Sequence, residues 1–352
     1  MLLHREAAVE KFLNVHTSGG IERLHGASGR DRANLRANPL VPKARCHSQQ
    51  LDMACTLTAP IGFAVIDKPA GLTSHACVAR IRRLLGIRRV GHGGTLDPAV
   101  TGVLPIAVGQ ATRLLPYLPG EKTYRGVIQL GISTNTDDLQ GEELSRQSVP
   151  DLGSETLEQA LSGFRGAISQ QPPQVSAVHV DGERAYARAR RGEQMDLAAR
   201  PVIIHQLNLR GWNAAQAQLS VDVHCSAGTY IRSLARDLGA ALGCGGCLAS
   251  LRRTQALGFH DHQAVSLPDA PDVVGQGEMN LLQPELALPH LPKRLLTASE
   301  QLDWSCGRRI TLGISGTADV VVVLSEGGRM LGLGVPDPEN TLKPKVVFEA
   351  RG

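Results

Sequence analysis

Residues 90–105 read VGHGGTLDPAVTGVLP, and what this stretch becomes decides the fold around it. Three glycines within four positions, Gly91, Gly93 and Gly94, suit a turn whose backbone comes close to a neighbour. Asp97 follows, and Pro98 stiffens the chain beyond it. The spacing therefore predicts a carboxylate presented on a loop rather than packed on a helix face. Asp-Pro in glycine-rich sequence is also a common turn whose carboxylate bonds its own backbone, so the local pattern leaves both readings open. Apolar sequence follows at once and leads back into a core.

The chain has 352 residues, 42% apolar and 20% charged, enough for two domains of ordinary size and a real core. A formal net charge of +4 permits a polyanionic partner without demanding one. The arginines are unevenly placed. Arg80, Arg82, Arg83, Arg88 and Arg89 crowd the approach to Asp97, and Arg184, Arg188, Arg190 and Arg191 crowd a second segment. Two such clusters, one beside the candidate loop, favour phosphate contacts over a merely solvated face. No run approaches the roughly 20 apolar residues of a membrane span. The N-terminus also lacks a hydrophobic segment followed by a small-residue cleavage site, so a cytoplasmic protein without a membrane partner is expected. Seven cysteines at irregular positions (Cys46, Cys55, Cys77, Cys225, Cys244, Cys247, Cys306) make no disulfide framework. Cys244 and Cys247 form a C-x-x-C with no second pair at zinc spacing, and GCGGC reads as a tight turn after a helix, so no metal is expected.

Residues 1–58 have mixed charge and little periodicity. They read as a poorly ordered extension, with Met53 as an alternative start. From Ile61 the pattern becomes regular. IGFAVIDKP is a strand ending in a Lys-Pro-x-Gly turn, and Thr73 or Ser74 caps a helix with Cys77, Ile81, Leu84 and Leu85 on one face and its arginines outward. Tyr124 to Leu130 reads as a strand. Leu219, Val221, Val223 and Cys225 alternate with polar residues in another, half-buried one. Gly228 breaks it, and a helix follows with Ile231, Leu234, Ala235, Leu238 and Leu242 inward. Tyr230 and Arg232 then sit at a strand-to-helix junction, where side chains commonly face a cleft. Residues 266–292 look like a linker with a short helix. Beyond them DVVVVL, GRMLGLG and KPKVVFEA are short strands between Gly and Pro turns, enough for a small β-barrel.

Four blocks, FAVIDKPAGLTS, VGHGGTLDPAVTGVLPIAVGQATR, KTYRGVIQLG and GTYIRSLARDLG, resemble the bacterial tRNA pseudouridine synthase B family in order, spacing and residue type. The resemblance runs from about Pro60 to the C-terminus. It implies an α+β catalytic domain over 59–265, built on a mixed, largely antiparallel sheet with flanking helices. An RNA-clamping insertion lies near 172–192, and after the linker comes a small RNA-binding domain of the PUA type over 293–352. The implied reaction turns uridine into pseudouridine: the N1–C1′ bond breaks, the uracil rotates and rejoins through C5, and no cofactor is needed. The implied substrate is the uridine at position 55 in the TΨC loop of tRNA, bound through the T-arm by a monomeric enzyme.

The resemblance also assigns roles. Asp97 is the catalytic carboxylate, Arg232 keeps it ionised, Tyr124 is the flat wall that holds the detached base, and Leu251 keeps the pocket dry. An arginine beside an aspartate lowers its pKa by about 1–3 units, and a buried aspartate partner would account for a cation at a helix start, where it opposes the dipole. Asp138, in TNTDDLQG, completes the charge network, although Asn135 replaces a common aspartate nearby. The target base is stacked in RNA and must be flipped out at a cost of a few kcal/mol, and stacking on a ring returns about 1–3 kcal/mol per base. In a chain with only 3% aromatics, Tyr124 and Tyr230 stand out for that contact. His92 takes the place vacated by the base, and Lys68 either braces the site or meets a phosphate. Gly93 stands where many members carry Thr or Ser, and Cys247 where many carry His.

Two other classes are weaker. A non-catalytic RNA-binding protein on the same fold would not need Asp97, Tyr124 and Arg232 together. A hydrolase is suggested only by HGG at 92–94, and neither a G-x-S-x-G elbow nor a phosphate-binding G-x-x-x-x-G-K-[ST] loop occurs.

Overall fold

The Gly62–Lys68 strand is apolar at nearly every position because both its faces are covered. Ala64 and Ile66 belong to one core, Phe63 and Val65 to a second. The strand after the Asp97 loop, Thr101–Val108, repeats this: Leu104, Ile106 and Val108 face the first core, Val103 and Ala107 the second. Between the two strands runs helix α1, Ser74–Leu85. Thr73 is its N-cap and accepts a hydrogen bond from the Ala76 amide at 3.0 Å. Gly86 ends it in the left-handed conformation. The expected face is the one that is buried, with Val78 added to Cys77, Ile81 and Leu84, while Arg82 and Arg83 are exposed.

This computed structural model describes residues 60–350, apart from 181, 270–272, 276, 315–317 and 349. The expectations for residues 1–58, a start at Met53 among them, lie outside the described residues, as do Cys46 and Cys55. Helices α2 (Ser154–Ser162), α3 (Ala185–Ala189), α4 (Ile231–Ala241) and α5 (Ala298–Ser305) follow along the chain.

The main sheet has ten strands. Its path runs Val265–Ser266, Gly62–Lys68, Thr101–Val108, Gly246–Ala256, Lys122–Leu130, Gln218–Cys225, Arg200–Asn213 and Gly166–Gln170, with Val90–His92 and Phe259–His260 paired at the side. Val265–Ser266 pairs in parallel with Gly62–Lys68, and Gly246–Ala256 with Thr101–Val108; the other pairings are antiparallel. The sheet is mixed and largely antiparallel. Inward residues of α1, α2 and α4 pack on one of its faces.

The C-terminal strands form a curled, five-stranded half-barrel in the order Lys293–Leu296, Val321–Ser325, Met330–Pro336, Thr341–Val347 and Ile310–Thr311. Trp304 of α5 fills its own core with Val321, Val323 and Leu342. Its other face, with Val322, Leu324, Leu333, Val346 and Phe348, shares the second core with Phe63, Val103 and Phe259 of the main sheet. The intervening segment is no free tether: Phe63 and Leu282 exchange backbone hydrogen bonds at 2.9 and 2.8 Å, and Ala287 and Leu288 are buried in the shared core. No helix among the described residues is long and apolar enough to cross a membrane.

Candidate active site

The loop carrying Asp97 is fixed from three sides. The Ser74 hydroxyl, at the first turn of α1, accepts from the Leu96 amide at 2.8 Å and lies 3.1 Å from its carbonyl. The Gly71 amide bonds the Pro98 carbonyl at 2.8 Å. Lys68, fully buried, donates to the carbonyls of Pro69, Leu72 and Pro98 at 2.9, 2.6 and 3.0 Å. Burial pushes its ammonium pKa down. Of the two roles expected for Lys68, this geometry is that of a brace between Pro69, Leu72 and Pro98, with the ammonium turned inward and away from the surface.

Arg232 enters from the N-terminus of α4. It is 6% exposed. Its Nη2 lies 2.9 Å from Asp97 Oδ2 and donates to the Val175 carbonyl at 2.9 Å, Nη1 donates to the Thr136 carbonyl at 2.9 Å, and Nε lies 3.6 Å from Asp138 Oδ2. Asp138 is itself held by the Thr136 hydroxyl and the Gln140 amide, at 2.8 and 3.0 Å. The Asp97 carboxylate is 44% exposed, so one end of the pair is anchored inside and the other faces out. Beside it Arg236 pairs with Asp137 at 2.8 Å, a second acid–base pair the sequence reading did not single out.

Strand register sets the rest. Tyr124 faces Arg253 and Gly126 faces Leu251 across the Lys122–Leu130 and Gly246–Ala256 strands. Residues two apart share a face, so all four lie on one side. Gly126 leaves room for Leu251, whose Cδ1 would stand 3.3 Å from any Cβ there. Tyr124 is buried, which raises its pKa, against the favourable charge of Arg253. His92 is half-buried with its Nδ1 unpartnered, and its ring makes an edge contact with His75 at 5.1 Å. Burial, then His75 and Arg253, lower its pKa to about 4, so the ring is neutral near pH 7. Tyr230 caps α4 and packs on the insertion cluster of Val178, Ala185, Met195 and Leu197, while its backbone is bonded on both sides by the Gln170 amide group, at 2.8 and 3.1 Å.

Gly94 holds a left-handed φ of +119°, and Gly93 is the one close-packed glycine of the loop. A Cβ at Gly93 would meet the tip of the Leu257 side chain, which would have to turn aside to admit Thr or Ser there. Cys247 is fully buried opposite Gln129, and burial pushes its thiol up to about 11. Cys244 is buried with its thiol turned to the Gly245 carbonyl. The second arginine cluster is largely internal to the insertion. Arg188 pairs with Glu193 at 2.7 Å, Arg191 with Glu183 at 2.6 Å and Glu193 at 2.8 Å, and Arg190 lies 5.6 Å above the Tyr186 ring. In the first cluster Arg82 donates to the Val90 carbonyl at 2.6 Å and Arg80 reaches toward Asp269 at 4.0 Å, whereas Arg88 and Arg89 are exposed.

Residues 82–231 match the N-terminal domain of the TruB family of pseudouridylate synthases, and 232–284 a tRNA pseudouridylate synthase B C-terminal domain. The tRNA pseudouridine synthase B of Synechococcus sp. strain WH7803 is 75% identical over 300 residues, covering 84% of this chain and all of the relative. That of Prochlorococcus marinus strain MIT 9313 is 54% identical over 320 residues, with 84% and 100% covered. Among solved structures, a Cbf5-Nop10-Gar1 complex is similar at 27% identity with a TM-score of 0.59, covering 82% of this chain and 84% of that one. An H/ACA RNP bound to a substrate RNA containing 2′-deoxyuridine shares the fold at 24% identity and a TM-score of 0.60, with the same coverage.

Proposed function

The chain belongs to the TruB family of pseudouridylate synthases and isomerises uridine to pseudouridine in tRNA; from that premise we propose that Asp97 performs the chemistry, on the uridine at position 55 of the TΨC loop. The observation that carries the reading is the pairing of a half-exposed carboxylate with an arginine that is almost wholly buried, 2.9 Å away. Such an arginine is fixed in the fold, so it holds the Asp97 carboxylate aimed. The target nucleotide is flipped into the pocket between Tyr124 and Leu251, and neutral His92 fills the space it leaves. Whichever sugar atom Asp97 attacks, the electron pair of the N1–C1′ bond leaves with the uracil. After rotation that pair forms the C5–C1′ bond, the C5 proton is lost and N1 gains one, so nothing is consumed. Leu251 and the buried Tyr124 keep water from the sugar meanwhile. Asp138 holds the far side of Arg232, and Tyr230 ties the insertion, as an RNA clamp, to the start of α4. The half-barrel over 293–352 serves as the RNA-binding domain of a cytoplasmic, monomeric enzyme that grips the T-arm.

Asp97→Asn keeps size and removes charge. Uridine conversion, read by a carbodiimide probe on tRNA transcripts, should vanish while melting temperature and tRNA binding persist. A rate near that of the parent would return Asp97 to the status of a turn residue.

A further inference from the structure

Arg253 is a fully buried guanidinium without an anion. It is 0% exposed. Nε donates to the Val103 carbonyl at 2.8 Å and Nη2 to the Gly94 carbonyl at 3.1 Å, while Nη1 is buried with no hydrogen-bond partner. Among the described residues no carboxylate pairs with it. Its neighbours are groups that its charge discourages from protonating: it opposes the cations of Lys122, Lys68 and His92. A buried, unpaired charge costs several kcal/mol, and a buried orphan donor adds to that. The buried Tyr124 opposite it offsets part of this, but no carboxylate among the described residues does, which leaves charge to spare for an anion that enters beside it.

The place of Arg253 says what that is. It stands directly opposite Tyr124 in the strand register and two residues from Leu251, on the same face of the sheet. A Cβ on Gly94, in the loop leading to Asp97, would stand 3.6 Å from Nη1. Once the N1–C1′ bond has broken, the uracil carries that bond's electron pair. It remains anionic until that pair forms the C5–C1′ bond, after which a proton moves from C5 to N1 with no further change of charge. We propose that Arg253 is a positioning residue for the detached base: from behind Tyr124 and Gly94 it holds the pocket electropositive, so that the anionic uracil stays in place while it rotates. The proposal rests on the reading that Tyr124 and Leu251 hold the base. Preorganised charge aimed at a developing anion typically accounts for about 10²–10³ in rate.

The test uses the full-length protein and tRNA transcripts carrying either uridine or 5-fluorouridine. Fluorine withdraws electrons and makes the detached base a better anion by itself. Arg253→Gln keeps donors for Val103 and Gly94 but loses the charge. Single-turnover consumption of uridine should fall on the order of 100-fold, with tRNA affinity close to that of the parent, and the deficit should shrink at least several-fold on 5-fluorouridine. Arg253→Lys, which keeps the charge, should stay within about tenfold of the parent and show its fluorine dependence. Equal losses on the two substrates would reduce Arg253 to a structural brace and overturn the proposal. So would a folded, tRNA-binding Lys variant as slow as Asp97→Asn, which also covers the case in which the Gln variant does not fold. Parent protein unable to convert uridine at all would instead sink the functional reading beneath it.

Discussion

A single arginine and a single histidine show how position overrides residue type in this site. Arg232 sits in the first turn of α4, where a cation opposes the helix dipole, and the structure answers with Asp97, Asp138 and two carbonyls around one guanidinium. Substituting Arg232 by Met should cripple turnover and also lower stability, since it removes the cation beside Asp97 and Asp138 and strips two carbonyls of their donor at once. His92 is the opposite case, a titratable ring kept neutral. Its pKa is lowered to about 4 from an ordinary 6.5, by burial first and by His75 and Arg253 next. Between those values the unfolded chain binds a proton that the folded chain refuses. Stability is therefore intact above pH 6.5 and lost as the pH falls toward 4, by up to about 3 kcal/mol. Urea unfolding of the parent and of His92→Gln at pH 7 and pH 4.5 should show the parent losing more. Parallel losses would mean that His92 is not the group excluding the proton.

At the scale of elements, the chain's alternation was a reliable guide and its tertiary approaches were hidden. The strand at Ile61, the Thr73 cap, the buried stripe of α1 and the alternation from Leu219 to Cys225 are all local signals, and each formed as its periodicity required. Asp97 and Arg232 were legible because they stand in quoted motifs at a loop and at a helix start. Arg253 was not, since an arginine in LRRT carries no mark of burial until the register sets it opposite Tyr124. Nor was the close packing of Gly93, which is against the Leu257 side chain, far along the chain. Gly102 shows the same thing in TGVLP. Its φ is +101°, and a Cβ would run into the Arg253 backbone of the neighbouring strand. Gly102→Ala should cost at least about 2 kcal/mol, from left-handed strain and from the forced separation of the two strands that place Asp97 and Arg253. Chemical denaturation reads this directly, and a loss under about 0.5 kcal/mol would show that the strands can part without cost.

For the whole molecule, the two sheets are not two bodies. Phe63, Val65, Val103 and Ala107 of the main sheet and Val322, Leu324, Val346 and Phe348 of the half-barrel bury one another, and Leu282, Ala287 and Leu288 close the seam. The reading of 266–292 as a linker followed from its Pro, Gly and Leu content, which does not distinguish a tether from a strap laid over apolar strands. The same arrangement bears on RNA. Arg88 and Arg89 are exposed at the end of α1, beside the strand that leads to Asp97, so alanine at both should lower the slope of log affinity against log salt for tRNA by roughly one unit per arginine. An unchanged slope would mark them as solvated surface. The shared core makes the stronger claim. Because the second face of Gly62–Lys68 and Thr101–Val108 shares one buried core with the C-terminal half, folding of the two should be one event. Calorimetry of the parent should give a single transition for the described fold. Truncation after Leu291 should strip Phe63, Val65 and Val103 of the part of their cover that Val322, Leu324, Val346 and Phe348 supply and give a protein that aggregates or melts far below the parent. A soluble truncation that keeps the parent's melting temperature, or two well-separated transitions in the full chain, would show that the half-barrel is an independent module and that the seam contributes little.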